Sequence, residues 1–128
     1  MRRFALGVLK VVRNSHMDLS LVLTTDREIH RFNRTYLGHD RPTDVLAFNL
    51  NEPKRFSKKP FLGDVMISVD RARVYAKRYN NTFWGEIKLY IAHGILHLLG
   101  YDDHRLKDRL RMRRKEKEIL QHTLVRGI

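Results

Sequence analysis

The stretch from Thr82 to Leu99 restricts the possible folds more than any other part of this chain. Ile87, Leu89, Ile91, Ala92, Ile95, Leu96, Leu98 and Leu99 fall all round a helical wheel. That distribution predicts a helix buried on every side, with the other elements packed around it. Thr82 stands where a cap would start the helix, and Gly100 where a left-handed residue would end it. Inside this apolar segment lie two histidines, His93 and His97. Four residues apart, they project from one face. A single buried histidine is ordinarily a core residue hydrogen-bonded to a neighbour. Two together bring four ring nitrogens into the interior, and all of them need partners. A metal ion takes one nitrogen from each ring at once.

His104 follows just beyond Gly100, where the helix has ended and the chain can double back. Three imidazoles from His93, His97 and His104 would leave further positions on the ion for water and substrate, the open arrangement of a catalytic zinc site. Gly94 fits this picture. A glycine inside a helix costs about 1 kcal/mol relative to alanine, so it marks close approach by another group. The residue beside the first histidine is therefore not the glutamate of H-E-x-x-H peptidases, which serves them as general base. That pattern argues against a peptidase.

The rest of the chain alternates helices and strands. Helices are expected at Phe4 to Val12, after Thr25 or Asp26 with Ile29, Phe32, Asn33 and Tyr36 on one face, at Asp70 to Tyr79, and at Arg105 to Gln121. Strands are expected at Leu19 to Leu23, Thr43 to Leu50 and Gly63 to Val69. Gly38 to Pro42 and Asn51 to Lys59 read as loops. The expected fold class is α/β (α+β): one domain over residues 1–128, with a small mixed sheet packed against helices. The metal site would lie on the central buried helix and the turn that follows it.

Charge narrows the partners. The chain carries 26 Lys+Arg against 14 Asp+Glu, a formal charge of +12, which favours a polyanion, nucleic acid first. Arg105, Lys107, Arg109, Arg111, Arg113, Arg114, Lys115 and Lys117 follow directly on the histidines and suit RNA phosphates. There are no cysteines, which excludes disulfides and thiolate metal sites and suits a reducing compartment. The opening apolar run is interrupted by Lys10 and Arg13 and has no small-residue cleavage site, and no stretch approaches membrane-spanning length. The expectation is a cytoplasmic protein without a membrane partner.

The run His93-Gly94-Ile95-Leu96-His97-Leu98-Leu99-Gly100-Tyr101-Asp102-Asp103-His104 closely resembles the H-G-x-L-H-L-x-G-Y-D-H signature of the YbeY family. Asn33 to Phe48 is similar to that family's L-N-x-x-Y-R-x-x-D-x-P-T-D-V-L-S-F segment, and Leu62 to Ser68 to its L-G-D-I-x-I-S strand. The resemblance covers about residues 18–120. It implies a single-strand-specific endoribonuclease acting in ribosomal RNA maturation, including the 3′ end of the small-subunit 16S RNA. It further implies one Zn2+ on three histidines, and single-stranded RNA, rRNA and the small ribosomal subunit as partners.

Two positions depart from the pattern. The family's third histidine usually lies ten residues after the first, where this chain has Asp103; His104 comes one residue later. His104 is the expected third ligand, with Asp103 as the alternative because a carboxylate is also a zinc donor. Leu37 stands where the family usually has an arginine, a role that Arg34 or Arg41 would have to supply. Arg34, Arg41, Arg105, Arg109 and Arg113 are the candidate RNA contacts, and Asp102 the candidate acceptor orienting a ligand histidine. Asp64 and Ser68 either line the cleft or serve the strand, and Thr43 and Asp44 fit a turn. Glu86 and Tyr90 share the face of His93 and receive no role. The competing functional reading is a non-catalytic RNA-binding ribosome assembly factor with a structural metal.

Overall fold

The computed structural model describes residues 1–38, 43–49 and 59–125. Along the chain the elements are α1 (Arg2–Val11), β1 (Asp18–Thr24), α2 (Asp26–Tyr36), β2 (Val45–Phe48), β3 (Phe61–Ser68), α3 (Val69–Arg78), α4 (Phe83–Leu98) and α5 (Leu106–Val125). The three strands form a mixed sheet in the order β1-β3-β2, with β1 parallel and β2 antiparallel to β3. This is the small mixed sheet with helices expected for an α+β fold. The central strand is the most deeply buried, with Leu62, Val65 and Ile67 in the core.

Local chemistry sets the helix boundaries. Thr25, Ser68 and Thr82 each have extended backbone and accept a hydrogen bond from the amide three residues on, which satisfies a donor that the first helical turn leaves free. At the far end of α4, Gly100 adopts φ +97°. The Gly100 amide donates to the His97 carbonyl and the Tyr101 amide to the Leu96 carbonyl, each at 3.0 Å. These are the two bonds of a Schellman cap, and they turn the chain back toward the histidine face.

Helix α4 runs through the middle of the molecule, against β2 and β3 on one side and α1, α3 and α5 on the others. Ile87, Ile91, Ile95 and Leu96 are essentially without solvent contact. Gly94 explains how closely the helix sits on the sheet. A Cβ there would lie 2.7 Å from Val65 Cγ1 and 3.0 Å from Cγ2, so the close-approaching group is the central strand. The histidines are thereby held at a fixed height above β3.

Some boundaries differ from the sequence expectation. Strand β2 is only four residues long. Thr43 and Asp44 form a turn ahead of it, where the Thr43 hydroxyl donates to the Val45 carbonyl at 3.2 Å and the Asp44 carbonyl accepts from the Ser68 amide at 2.9 Å. Leu50 and the loop residues 39–42 and 51–58 lie outside the described residues. On α2, Ile29 and Asn33 are buried as the face requires, but Tyr36 is 64% exposed and packs its ring at a tilt against Phe32 instead of entering the core. Helix α5 extends to Val125, beyond the expected Gln121. Among the described residues no helix is long and apolar enough to cross a membrane.

Candidate metal centre

The site lies where the C-terminal half of α4, the turn after it and the middle of α5 meet. His93 and His97 face each other with Nε2 atoms 2.9 Å apart and ring centroids 4.5 Å apart. Asp103 Oδ2 completes a triangle, 3.9 Å from His93 Nε2 and 3.6 Å from His97 Nε2. All three residues are half-buried. A tetrahedral ion bonded at 2.0–2.1 Å to nitrogen and oxygen has donor–donor edges of about 3.3 Å. The observed triangle brackets that length, so the three side chains fit a zinc-sized divalent ion with small adjustments.

Hydrogen bonding around the rings supports the same fit. His93 Nδ1 donates to Glu116 Oε1, because a carboxylate accepts. In the neutral ring this leaves the Nε2 lone pair pointing into the triangle. His97 has a backbone hydrogen bond to Tyr101, within the cap that ends α4. Two imidazole nitrogens and a carboxylate oxygen thus converge on one small space, an arrangement that a cation relieves.

The two rings titrate differently. Burial works against the charged form of His93, but the hydrogen bond and charge of Glu116, with help from Asp44 and Asp103, more than offset it and raise the pKa above the ordinary histidine value. Burial and the neighbouring His93 lower that of His97, with Asp103 opposing. A lowered pKa keeps His97 neutral, the form in which it can bind a metal.

The residues expected from the sequence are distributed unevenly. His93 and His97 are together, and the third donor beside them is Asp103. His104 is turned away: its side chain is 84% exposed and its Nε2 lies 3.4 Å from Asp102 Oδ1. The reason is local. Asp102 Oδ1 accepts from the His104 amide at 3.0 Å and also lies beside the His104 ring, which it keeps on the exposed side of the turn. Asp102 therefore shapes this turn, and the carboxylate that contacts a ring of the pair from outside the triangle is Glu116.

Arg109 and Arg113, both exposed and one turn apart on α5, line a cavity of about 140 Å³ with His93, Asp103, Met112 and Glu116. That is room for about five waters at ~30 Å³ each. Arg105 is exposed at the start of α5, and Arg34 is exposed on α2; neither lines this cavity. Arg41 lies outside the described residues, and Leu37 is the C-cap of α2. Ser68 serves the scaffold, accepting from the Arg71 amide and donating to Asp26, which also binds Arg71 Nε at 3.2 Å.

Glu116 is the participant the sequence did not reveal. It stands in a run of cations, which reads as a solvated face. Its signal is positional: Met112, Glu116, Ile119 and Thr123 recur at spacings of four, three and four, and all are buried. Tyr90, one turn before His93, is also buried. Its hydroxyl has no hydrogen-bond partner among the described residues. Burial first, then the nearby Asp44 and Glu86, push its pKa upward.

Fold and site together define an α+β protein in which two histidines and a carboxylate could hold a metal ion. The particular family follows from comparison with known proteins. Residues 3–124 match the family model described as endoribonuclease YbeY. An Endoribonuclease YbeY of Desulfitobacterium hafniense is 42% identical over 126 residues, covering 89% of this chain and 79% of the relative. One from Bacillus subtilis is 38% identical, covering 80% and 70%. One from an Anaeromyxobacter strain is 42% identical over 93% of this chain, and the chain spans 61% of that relative's length. The solution structure of TM1509 from Thermotoga maritima superposes with a TM-score of 0.63 at 28% identity, covering 94% of this chain and 78% of that one. This chain belongs to the endoribonuclease YbeY family.

Proposed function

We propose that this chain is a metal-dependent endoribonuclease that cleaves single-stranded RNA and acts in ribosomal RNA maturation, including the 3′ end of the small-subunit RNA. Family membership supports RNA as the substrate. One observation carries the chemistry: His93 and Asp103, two of the three side chains that could hold an ion with His97, line a small open cavity with two exposed arginines. A phosphodiester needs both parts, cations to hold the chain and a Lewis acid at the reacting phosphorus.

In this reading His93, His97 and Asp103 hold the ion, which we take to be zinc. An ion held by these three side chains would supply Lewis acidity, lowering the pKa of water toward 7 or polarising a phosphoryl oxygen. The chain's own residues do the rest. Arg109 and Arg113 bind the phosphate flanking the scissile one, and their forked guanidinium groups suit its oxygens. Arg105 extends the cationic track along α5. The half-buried setting of the donors strengthens their electrostatic interactions relative to bulk water. Neither arginine contact reads base identity, so selection of single strands rests on access to the cavity. The proposed location is the cytoplasm, with the small ribosomal subunit as partner.

The test is a joint measurement of bound metal and single-stranded RNA cleavage on the purified chain, with chelation and zinc add-back. Near-stoichiometric metal and cleavage that is lost and regained with it support the proposal. Metal without cleavage would turn the reading to an RNA-binding assembly factor with a structural ion. A chain that binds no metal would refute it.

A further inference from the structure

We infer that Glu116 is the positioning residue of this centre: from α5 it holds His93 in the tautomer and orientation that present Nε2 to a metal ion. The inference rests on the metal reading above.

Glu116 occupies a place where a carboxylate needs a reason to be. The stripe of α5 that faces α4 is Met112, Glu116, Ile119 and Thr123, with the other three exposed to solvent by 1% or less and Glu116 by 8%. Burying a carboxylate without a partner carries a penalty of several kcal/mol. The partner is His93 Nδ1, twenty-three residues earlier in the chain. Asp108 and Glu118, the other acids of this helix, contrast with it. Asp108 lies in the first turn, where a carboxylate favours the helix dipole, and Glu118 is exposed beside Lys115 at 3.3 Å. Neither contacts the histidine pair.

The contact selects one of two tautomers. With Nδ1–H directed at Glu116, the lone pair of His93 lies on Nε2, the atom that faces His97 and Asp103. A ring free to rotate or to carry its proton on Nε2 would place a hydrogen where the ion belongs. A carboxylate behind a ligand histidine also raises the ring's basicity as a donor, and losing such a partner weakens metal binding by about 10–100-fold. Met112 and Arg113 on the same α5 segment flank His93 at the cavity wall, so α5 fixes the ring and cations together.

The experiment measures zinc affinity by chelator competition on the full chain, for wild type, Glu116→Gln, Glu116→Ala and the control Glu118→Gln. Melting of each metal-free protein and nitrogen NMR of the His93 ring accompany it. The expected result is about tenfold weaker zinc binding for Glu116→Gln, up to about 100-fold for Glu116→Ala, and no change for Glu118→Gln. Read at a pH high enough for the ring to be neutral, wild-type His93 should carry its single proton on Nδ1 in the metal-free protein, and Glu116→Ala should lose that preference. Glu116→Gln keeps the side chain's shape, so it carries the test if the alanine variant fails to fold. Unchanged zinc affinity in a folded Glu116 variant would overturn the inference, as would a neutral wild-type His93 with its single proton on Nε2. A wild type that binds no zinc fails earlier, at the metal reading itself, and takes the inference with it.

Discussion

Helices α4 and α5 meet at the centre and contribute to it by opposite means. The first is apolar on every side, capped at both ends by local hydrogen bonds, and seated on β3 through Gly94. Its histidines are the exceptions in the apolar C-terminal half of that helix. The second is dominated by cations and buries only a narrow stripe against α4. Its contribution, Glu116, is a buried acid among solvated bases. Burial makes a polar residue conspicuous on α4 and conceals one on α5. A site assembled from both is half-visible before the two are packed together.

The comparison can be broken most severely on α4. Replacing His97 with alanine should remove a direct donor and lower zinc affinity by more than about 100-fold, beyond the range for a residue that acts only through a ligand. Metal analysis after dialysis checks it, and retention of stoichiometric zinc would show that the pair is a core feature only. The turn between the helices gives the next contrast. Asp103→Ala should lose metal by at least tenfold in affinity, while His104→Ala should leave it within about twofold. The reverse order would restore His104 as the third donor.

Seating of α4 on the sheet is the third target. Gly94→Ala gains helix propensity of about 1 kcal/mol but drives a methyl into the β-branched Val65, an overpacking of about 1–3 kcal/mol. Urea denaturation should show a net loss of up to about 2 kcal/mol, largely recovered in the double variant with Val65→Ala. On α5, Arg109→Ala and Arg113→Ala should each raise KM for RNA several-fold and reduce the salt-dependence slope by about 1, with bound zinc unchanged. A fall in zinc content would mean that these arginines support the centre structurally. The smallest effect belongs to Tyr90→Phe. Removing a buried hydroxyl with no partner among the described residues should leave stability unchanged or raise it by up to about 1 kcal/mol. A loss above about 1 kcal/mol would show that the hydroxyl has a partner, such as the nearby Glu86 or a buried water.

Much of the architecture was legible from short-range rules. Thr82 and Gly100 bracket α4 because a hydroxyl and a left-handed glycine satisfy backbone groups within a few residues of themselves. Spacing placed His93 and His97 on one face because the helical period is local. The short length of β2 was less legible: Thr43 and Asp44 have their turn bonds to Val45 and Ser68, and Ser68 is remote in sequence.

Sequence by itself therefore determined a buried helix bearing two histidines, a mixed α+β order of elements and a strongly cationic segment after the pair. Tertiary structure decided which third donor faces the pair, which carboxylate backs His93 and which of the many arginines line the cavity. Asp103 and His104 are adjacent, but the Asp103 carboxylate reaches the pair while the His104 ring sits exposed beside Asp102, whose carboxylate also accepts from the His104 amide. Glu116 and His93 are 23 residues apart, and only the packing of α5 on α4 brings them into contact. Periodicity and capping act over one or two helical turns. Which carboxylate backs the pair and which arginines reach it are set by how whole elements pack, and that information is not present in any one segment.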